Sequence, residues 1–376
     1  MRECDYLIVG AGIAGTSAAY HMSAEGKRCI ILEREEQPGF HSTGRSAAVF
    51  LETYGPLVMR IMSMVSGPFL RSPPAGFSEV PLLHPRGLVL VARRDQLATL
   101  EAAYAELSQL AAWLKEIGPE RARELAPALR PGYAAAAIHD DTCMDMDVNA
   151  IHQGYIRGAR AKGTEIVCNA EVLSLERKGG TWRAKTPAGE FSAPVVINAA
   201  GAWADVVGEK AGARAIGLQP KRRTVIVFDP PAGTNVSKWA ALGDCQEQFY
   251  WKPDAGRILA SPADETPVPP QDIQPDEMDI ALVADRIEKA STLKIGRILR
   301  RWAGLRSFVK DKCPVVGFAP DAEGFFWLAG QGGYGIQTSY AMGMTAAALA
   351  AGRGLPEKVK GFGVTEAELG PERLWH

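Results

Sequence analysis

The sequence predicts an α/β (α+β) protein, with one domain on a parallel sheet and a second on a mixed or antiparallel sheet. Three observations carry this expectation. The chain opens on an apolar run, Asp5 to Val9, followed by glycines and a helical pattern from Ile13 to about Glu25. Gly26 closes that helix, and Arg28 to Leu32 reads as a second buried strand ending at Glu33, so a βαβ unit has begun. Downstream, short β-rich runs recur at Glu165 to Cys168, Glu171 to Arg177, Thr181 to Lys185 and Val195 to Asn198, and again between Arg222 and Trp251.

The remaining elements follow in order. Pro38 to Ser46 is a loop rich in Gly, Ser and Thr, and the stretch from Val49 to Asp141 is mixed. Within it Leu88 to Ala92 predicts a strand, Gln96 to Ile117 a long helix and Glu120 to Ala126 a short one. Helices are expected over Val148 to Ala161 and Met278 to Leu293. The end repeats the opening: strand Phe325 to Ala329, a glycine cluster, then a helix from Ile336 to about Ala350. Pro267 to Pro270 reads as a loop and not a domain linker, and no repeat of fixed period is present.

Composition excludes several classes of function. Hydrophobic residues at 47% and charged residues at 23% describe a globular chain, and 376 residues suffice for two domains. A net charge of −1 lacks the basic excess of a nucleic-acid binder. The late apolar stretch Tyr340 to Ala351 is too short to span a membrane, and no leader is expected before the first strand. Cys4, Cys29, Cys143, Cys168, Cys245 and Cys313 form no C-x-x-C pair, so no metal site is expected and the thiols suggest a reducing, cytoplasmic compartment.

Gly10-Ala11-Gly12-Ile13-Ala14-Gly15 satisfies G-x-G-x-x-G directly after a strand and at the head of a helix. Gly10 permits the tight turn, Gly12 lets the backbone approach a pyrophosphate, and Gly15 lets helix and strand pack. The helix N-terminus favours the phosphate charge, and Glu33 would accept hydrogen bonds from a ribose while repelling a 2′-phosphate. The expectation is a Rossmann-like dinucleotide site. A second match, Gly330-Gln331-Gly332-Gly333-Tyr334-Gly335, lacks the acidic strand end and predicts a turn against the other end of the same cofactor.

These motifs, with Ser42-Thr43-Gly44-Arg45-Ser46, Asn198 to Trp203, Leu218 to Arg223, Trp302 to Phe308 and Gln331 to Ser339, resemble the D-amino-acid oxidase superfamily of FAD flavoproteins. Within it the similarity points to D-arginine dehydrogenase-type D-amino-acid dehydrogenases. The resemblance implies noncovalent FAD and a discontinuous FAD-binding domain (1–48, 144–215 and 300–376) with a substrate domain (49–143 and 216–299). Relatives that tether flavin use a cysteine aligning near Arg306, a place Cys313 does not match. The implied FAD contacts are Gly10, Gly12, Ile13, Ala14, Gly15, Glu33 and Arg34, then Ser42, Thr43, Arg45, Ser46, Ala47 and Val172. They continue with Ala200, Gly201, Trp203 and Gly304, and end with Gly330, Gly332, Gly333, Tyr334, Gly335, Ile336 and Gln337. For the catalytic site, Arg223 and Arg306 match carboxylate-binding arginines, Tyr54 and Tyr250 match active-site tyrosines, and Gly333 belongs with them.

The chemistry so implied is oxidation of the Cα–N unit of a D-amino acid, the flavin taking the hydride and a guanidinium fork holding the carboxylate. Read without the family, Arg223 in the basic run Lys221-Arg222-Arg223 is more often a solvated edge, Arg306 between Leu305 and Ser307-Phe308 is the better candidate, and the two tyrosines are equally core aromatics. Members that prefer basic substrates carry an acid on the strand that here reads Arg86-Gly87-Leu88-Val89-Leu90, and Ala47 to Leu51 is apolar as well. Neutral or apolar D-amino acids, or a cyclic one such as D-proline, are therefore expected over D-arginine unless Glu52 or another acid reaches in. The electron acceptor is expected to be a quinone or carrier in preference to oxygen. Three alternatives stay open: a glycine/sarcosine-type oxidase, a flavin-dependent 2-hydroxyacid dehydrogenase, and a non-enzymatic flavin-binding protein. The second needs a base, and none of His21, His41, His84, His139, His152 and His376 is convincingly placed.

Overall fold

In the computed structural model, which describes residues 1–375, the opening motif becomes the centre of a six-stranded sheet. Its strands run Glu165–Val167, Cys29–Leu32, Tyr6–Val9, Val195–Asn198, Phe325–Ala329 and Val315–Phe318, all parallel except the last pair. The central strands are buried but for the partly buried Val195, and apolar except for the hydrogen-bonded Asn198, because both faces are covered. Ile8, Ile31, Ile197 and Phe326 face a helical layer that includes Ala18 and Met22 of Ile13–Ala24 and Ala341 and Met342 of Ser339–Ala350. Leu7, Ile30, Val196 and Phe325 face the other way, onto Trp182 and Phe191 of a four-stranded sheet.

The second domain is a nine-stranded mixed sheet. Across it lie Gln219–Phe228, Arg257–Ser261, Tyr250–Asp254, Ala241–Asp244, Leu88–Ala92, Ala136–Asp140 and Lys115–Ile117. Ile298–Phe308 pairs along nearly all of Gln219–Phe228. One face packs Ile226, Phe228, Leu242 and Trp251 against Ile280, Val283 and Ile287 of the helix Glu277–Ala290. The opposite face looks back at the first domain, and the space between them is the cavity described below.

Several expectations are corrected. The helix expected over Gln96 to Ile117 ends at Leu107, and Lys115–Ile117 is an edge strand. Pro119 keeps Gly118 extended, which suits a strand before it and a new helix after it. The helix expected from Ile336 starts at Ser339, with Ile336 and Gln337 still in the glycine turn. Strand Ser174–Lys178 begins after Val172, which lies in irregular chain. A boundary at residue 300 cuts the strand Ile298–Phe308, which belongs to the large sheet. The helix Leu57–Arg71, assigned above to no element of its own, places Ile61, Met62 and Val65 in the core of the first domain.

Candidate active site

Each glycine of the opening turn has a steric reason to be glycine. Gly10 has φ +103°, and a Cβ there would lie 2.4 Å from the Ala199 carbonyl oxygen. On Gly15 a Cβ would lie 2.0 Å from the Gly10 oxygen, so the helix crosses the strand at backbone contact. A Cβ on Gly12 would press on Thr43 Oγ1 at 3.3 Å, and that hydroxyl already accepts from the first helical amide, Ile13 N, at 3.0 Å. Behind the turn, the buried Glu33 carboxylate accepts from Ala11 N at 2.9 Å and Glu35 N at 3.0 Å. Burial pushes its pKa above the ordinary carboxylate value, against the opposing pull of those two amides.

From this helix head a cavity of about 690 Å³ runs between the two domains. It is lined at one end by Gly12, Ile13, Ala14, Ser42, Thr43, Arg45, Ser46, Ala47, Gly201 and Gly304. Gly330, Gly332, Gly333, Tyr334, Gly335, Ile336 and Gln337 line it further along, and Tyr54, Tyr250, Arg223 and Arg306 close the far part. Gly10, Gly15, Glu33, Arg34, Val172, Ala200 and Trp203 do not line it. They surround the strand ends beside it, where Ala170 N donates to Glu33 O and the Arg34 guanidinium lies 4.8 Å from the Trp203 ring.

Three predicted contacts are engaged by the protein itself. The Arg45 guanidinium donates to Ile273 O and Ala303 O and pairs with Asp272, so it ties the loop down. Gln337 holds Leu51 by both backbone atoms, at 3.1 and 3.2 Å, and donates to Ser63 at 2.8 Å. Val172 O accepts from Lys210 Nζ at 2.7 Å. Any contact that Gln337 makes with a cofactor is left to its backbone.

The two arginines differ sharply. Arg223 is buried, donates through Nε to Asp264 O at 2.9 Å and faces Glu265 at 3.4 Å. Arg306 lies deep in the fold, and among the described residues no carboxylate pairs with it. Its Nη1 donates to Tyr54 Oη at 3.1 Å. Burial acts to lower its pKa, but the surrounding phenols Tyr54, Tyr250 and Tyr334 more than offset this and leave it raised, so it stays a cation. Tyr250 Oη is buried without a hydrogen-bond partner. An unpaired guanidinium beside an unpartnered phenol is a receptor for a small carboxylate.

The floor of this end is the large sheet, seen as two rows of paired residues. Tyr250, Gly243, Leu90 and Ile138 form one row, and the other runs from Ala241 through Leu88 to Asp140. Leu88 and Leu90 thus line the cavity, as do Ala47, Ala48 and Val49. Glu52 does not reach it and pairs instead with Arg71 at 2.9 Å. Sequence reasoning missed Lys252, whose ammonium pairs with Asp145 at 2.9 Å, and Asp140, which accepts from Thr142 N and Oγ1. Lys252 sits two residues beyond Tyr250 on one strand, so strand alternation would have found it. Gln331 was quoted only within its motif; it lines the cavity with Nε2 unpartnered. No described histidine lines the cavity, and His376 lies outside the described residues.

A family model described as DAO, FAD dependent oxidoreductase, matches residues 5–349. The chain belongs to this DAO family. That family is one of FAD-dependent oxidoreductases, and the glycine turn, Glu33 and the unpartnered Gln331 amide fit such a dinucleotide. Mouse mitochondrial dimethylglycine dehydrogenase is 24% identical over 89% of this chain, which spans only 41% of that protein's length. Glycine oxidase from Bacillus licheniformis is 24% identical, with 91% of each chain covered. The crystal structure of glycine oxidase from Geobacillus kaustophilus superposes with a TM-score of 0.81 at 20% identity, covering 94% of this chain and 96% of that one. That likeness establishes the DAO fold, with its Rossmann-like FAD domain and separate substrate domain.

Among the described residues no helix is long and apolar enough to cross a membrane, and no cluster of side chains could hold a metal ion. Cys313 does not reach the cavity.

Proposed function

We propose that this DAO-family protein oxidises the Cα–N bond of a neutral or apolar D-amino acid. The imino acid so formed takes up water to give a 2-oxo acid and ammonia. The electrons pass to a quinone or electron carrier in preference to oxygen. The observation that carries the reading is Arg306, a cation in the cavity with no carboxylate partner of its own. FAD, when bound, supplies the two-electron acceptor.

The chain's own work is binding and orientation. Arg306 holds one carboxylate, with Tyr54 fixing the guanidinium and Tyr250 Oη free to complete the anchor. Arg223 contributes through its remaining guanidinium nitrogen, since Asp264 and Glu265 engage the others. Leu88, Leu90 and Val49 offer the side chain a hydrocarbon wall. Six free cysteines support the cytoplasmic reading.

A second reading, oxidation of glycine or an N-methylated glycine, is favoured by the names of the relatives above and by Gly243, which leaves the floor low beside Tyr250. The deciding experiment is an anaerobic panel of D- and L-amino acids, glycine, sarcosine and N,N-dimethylglycine, followed by bleaching of the bound flavin. Fast bleaching by D-leucine or D-methionine supports the first reading, and bleaching by the glycines alone supports the second. Arg306→Met should remove about 2–4 kcal/mol of transition-state stabilisation while leaving FAD bound. Unchanged kcat/KM in that variant would overturn the anchor.

A further inference from the structure

Among the described residues, five other than glycine have left-handed backbone: Asn169, Glu247, Ala255, Ala263 and Lys312. Asn169 is a residue type that tolerates this conformation, and Ala255 sits in the tight turn between Tyr250–Asp254 and Arg257–Ser261. The other three line the cavity. Lys312, at φ +59°, carries the most chemistry.

Its loop joins the long strand Ile298–Phe308 to Val315–Phe318 and is fixed at its centre. Lys312 N donates to Val309 O at 3.0 Å, Cys313 N donates to Asp311 Oδ1 at 2.9 Å, and Arg373 clamps Asp311 at 2.8 Å. Glycine would take this backbone without strain, and a lysine is held there at a cost. The turn makes no use of its side chain. The ammonium instead stands 5.8 Å from the Phe308 ring and 4.0 Å from Glu265, half exposed at the cavity rim.

Glu265 is already surrounded by Lys221 at 2.8 Å and Arg223 at 3.4 Å. Burial would raise its carboxyl, but Lys221, Lys312 and Arg223 outweigh that and hold it below the ordinary carboxylate value. Three cations around one carboxylate make this side of the rim positive, and the unpaired Arg306 lies in the same cavity, as does the acidic Glu247. Such a graded field concentrates anions and speeds their entry.

We propose that Lys312 is a capture residue, its ammonium drawing in the substrate carboxylate that Arg306 then anchors. The strained backbone is retained for that charge. The inference rests on the amino-acid reading above and adds to it a residue acting on entry.

The test uses the FAD-loaded full chain, with Lys312→Gly and Lys312→Arg compared to wild type. Flavin reduction by D-leucine is followed in anaerobic stopped flow at about 20 mM and about 500 mM salt, which spans weak to strong screening. Lys312→Gly should melt higher by ~2 °C, because the strain is gone. Its kcat/KM for reduction should nevertheless fall about three- to tenfold at low salt and converge with wild type at high salt. Lys312→Arg keeps the charge and should keep the wild-type rate and salt dependence. Equal rates for Lys312→Gly and wild type at both salts overturn the proposal, as does a defect confined to reoxidation by an anionic acceptor. A wild-type flavin that no amino acid reduces overturns the substrate reading and this inference together.

Discussion

Gly333 is in contact with Arg306: a Cβ built on this glycine would lie 2.8 Å from the guanidinium carbon and equally close to Nη1. The neighbouring Gly332 is pressed in the same way by Phe308, at 2.1 Å, and has φ +52°. The late glycine run therefore shapes the carboxylate receptor, with a bare backbone surface on which the guanidinium lies flat. Its sequence similarity to a nucleotide motif conceals this second use.

Gly333→Ala should therefore move Arg306 without removing its charge. We expect kcat/KM to fall by about tenfold or more, on the scale of a displaced charged contact, with bound FAD retained. Steady-state kinetics with D-leucine and the flavin-to-protein absorbance ratio measure the two effects separately. An alanine variant with wild-type kinetics would show that Arg306 is not positioned through this glycine.

The opening turn makes a different prediction. A methyl at position 10 would collide with Ala199 O at 2.4 Å and would sit on left-handed backbone, so Gly10→Ala must distort the strand junction. FAD occupancy of the purified variant should drop well below wild type. From the wild type, heat or acid should release FAD and not FMN into the supernatant. Flavin that stays with the precipitated protein would contradict the noncovalent site.

What was legible in the sequence is what is local. The G-x-G-x-x-G turn, the strand ending at Glu33 and the helix behind Gly12 lie within a few dozen residues, so spacing alone reports them. Arg306 stood out locally for its place between Leu305 and Ser307-Phe308, but its role was reached only through resemblance, because it depends on Tyr54 and Gly333, which are distant in the chain from it or from each other. Pairings such as Ser42 Oγ to Leu305 O and Gln337 to Leu51 leave no sequence pattern at all. The helix Leu57–Arg71 was obscured by Gly67 and Pro68, which punctuate a sequence whose buried face nonetheless holds the helix together. Lys115–Ile117 was read as helix because three residues cannot display a period, and tertiary pairing with Ala136–Asp140 decided them.

Stability should weaken on the acid side through His21. Burial between Tyr20 and Tyr340 pushes this imidazole down to about 4, with Nε2 lacking a partner, although a Tyr340 backbone hydrogen bond opposes the shift. The unfolded chain binds a proton near 6.5 while the folded chain resists it until about 4. Stability contributed by the neutral ring is thus complete above 6.5 and is lost as pH falls toward 4. Across that window wild type should lose about 1–3 kcal/mol that His21→Gln does not lose. Urea unfolding at several pH values measures it, and parallel curves for the two proteins would remove His21 as the cause.

Side-chain preference is decided on the sheet floor. Leu88 lies between Ala241 and Asp140 in one cross-strand row, with Leu90 in the next, and both line the cavity. An apolar substrate side chain gains roughly 25 cal/mol per Å² against them, whereas a cation surrenders hydration and meets no acid at Leu88 or Leu90, the cavity acids without an ion pair among the described residues being Asp140 and Glu247. Asp140 is the acid nearest in register, but Thr142 takes its Oδ1 through both amide and hydroxyl, and Glu52 is turned to Arg71. D-Leucine, D-methionine, D-phenylalanine or D-proline should then exceed D-arginine in kcat/KM by at least about tenfold, on the order of 1.4 kcal/mol. Leu88→Glu places a carboxylate in the row beside Asp140 and should raise activity on D-arginine relative to D-leucine. Because two carboxylates in one row repel, Leu88→Glu with Asp140→Asn should show the shift more strongly than Leu88→Glu alone. A wild type that prefers D-arginine or D-lysine would mean that Asp140 or Glu247 serves a cation, and Asp140→Asn or Glu247→Gln would then abolish that preference.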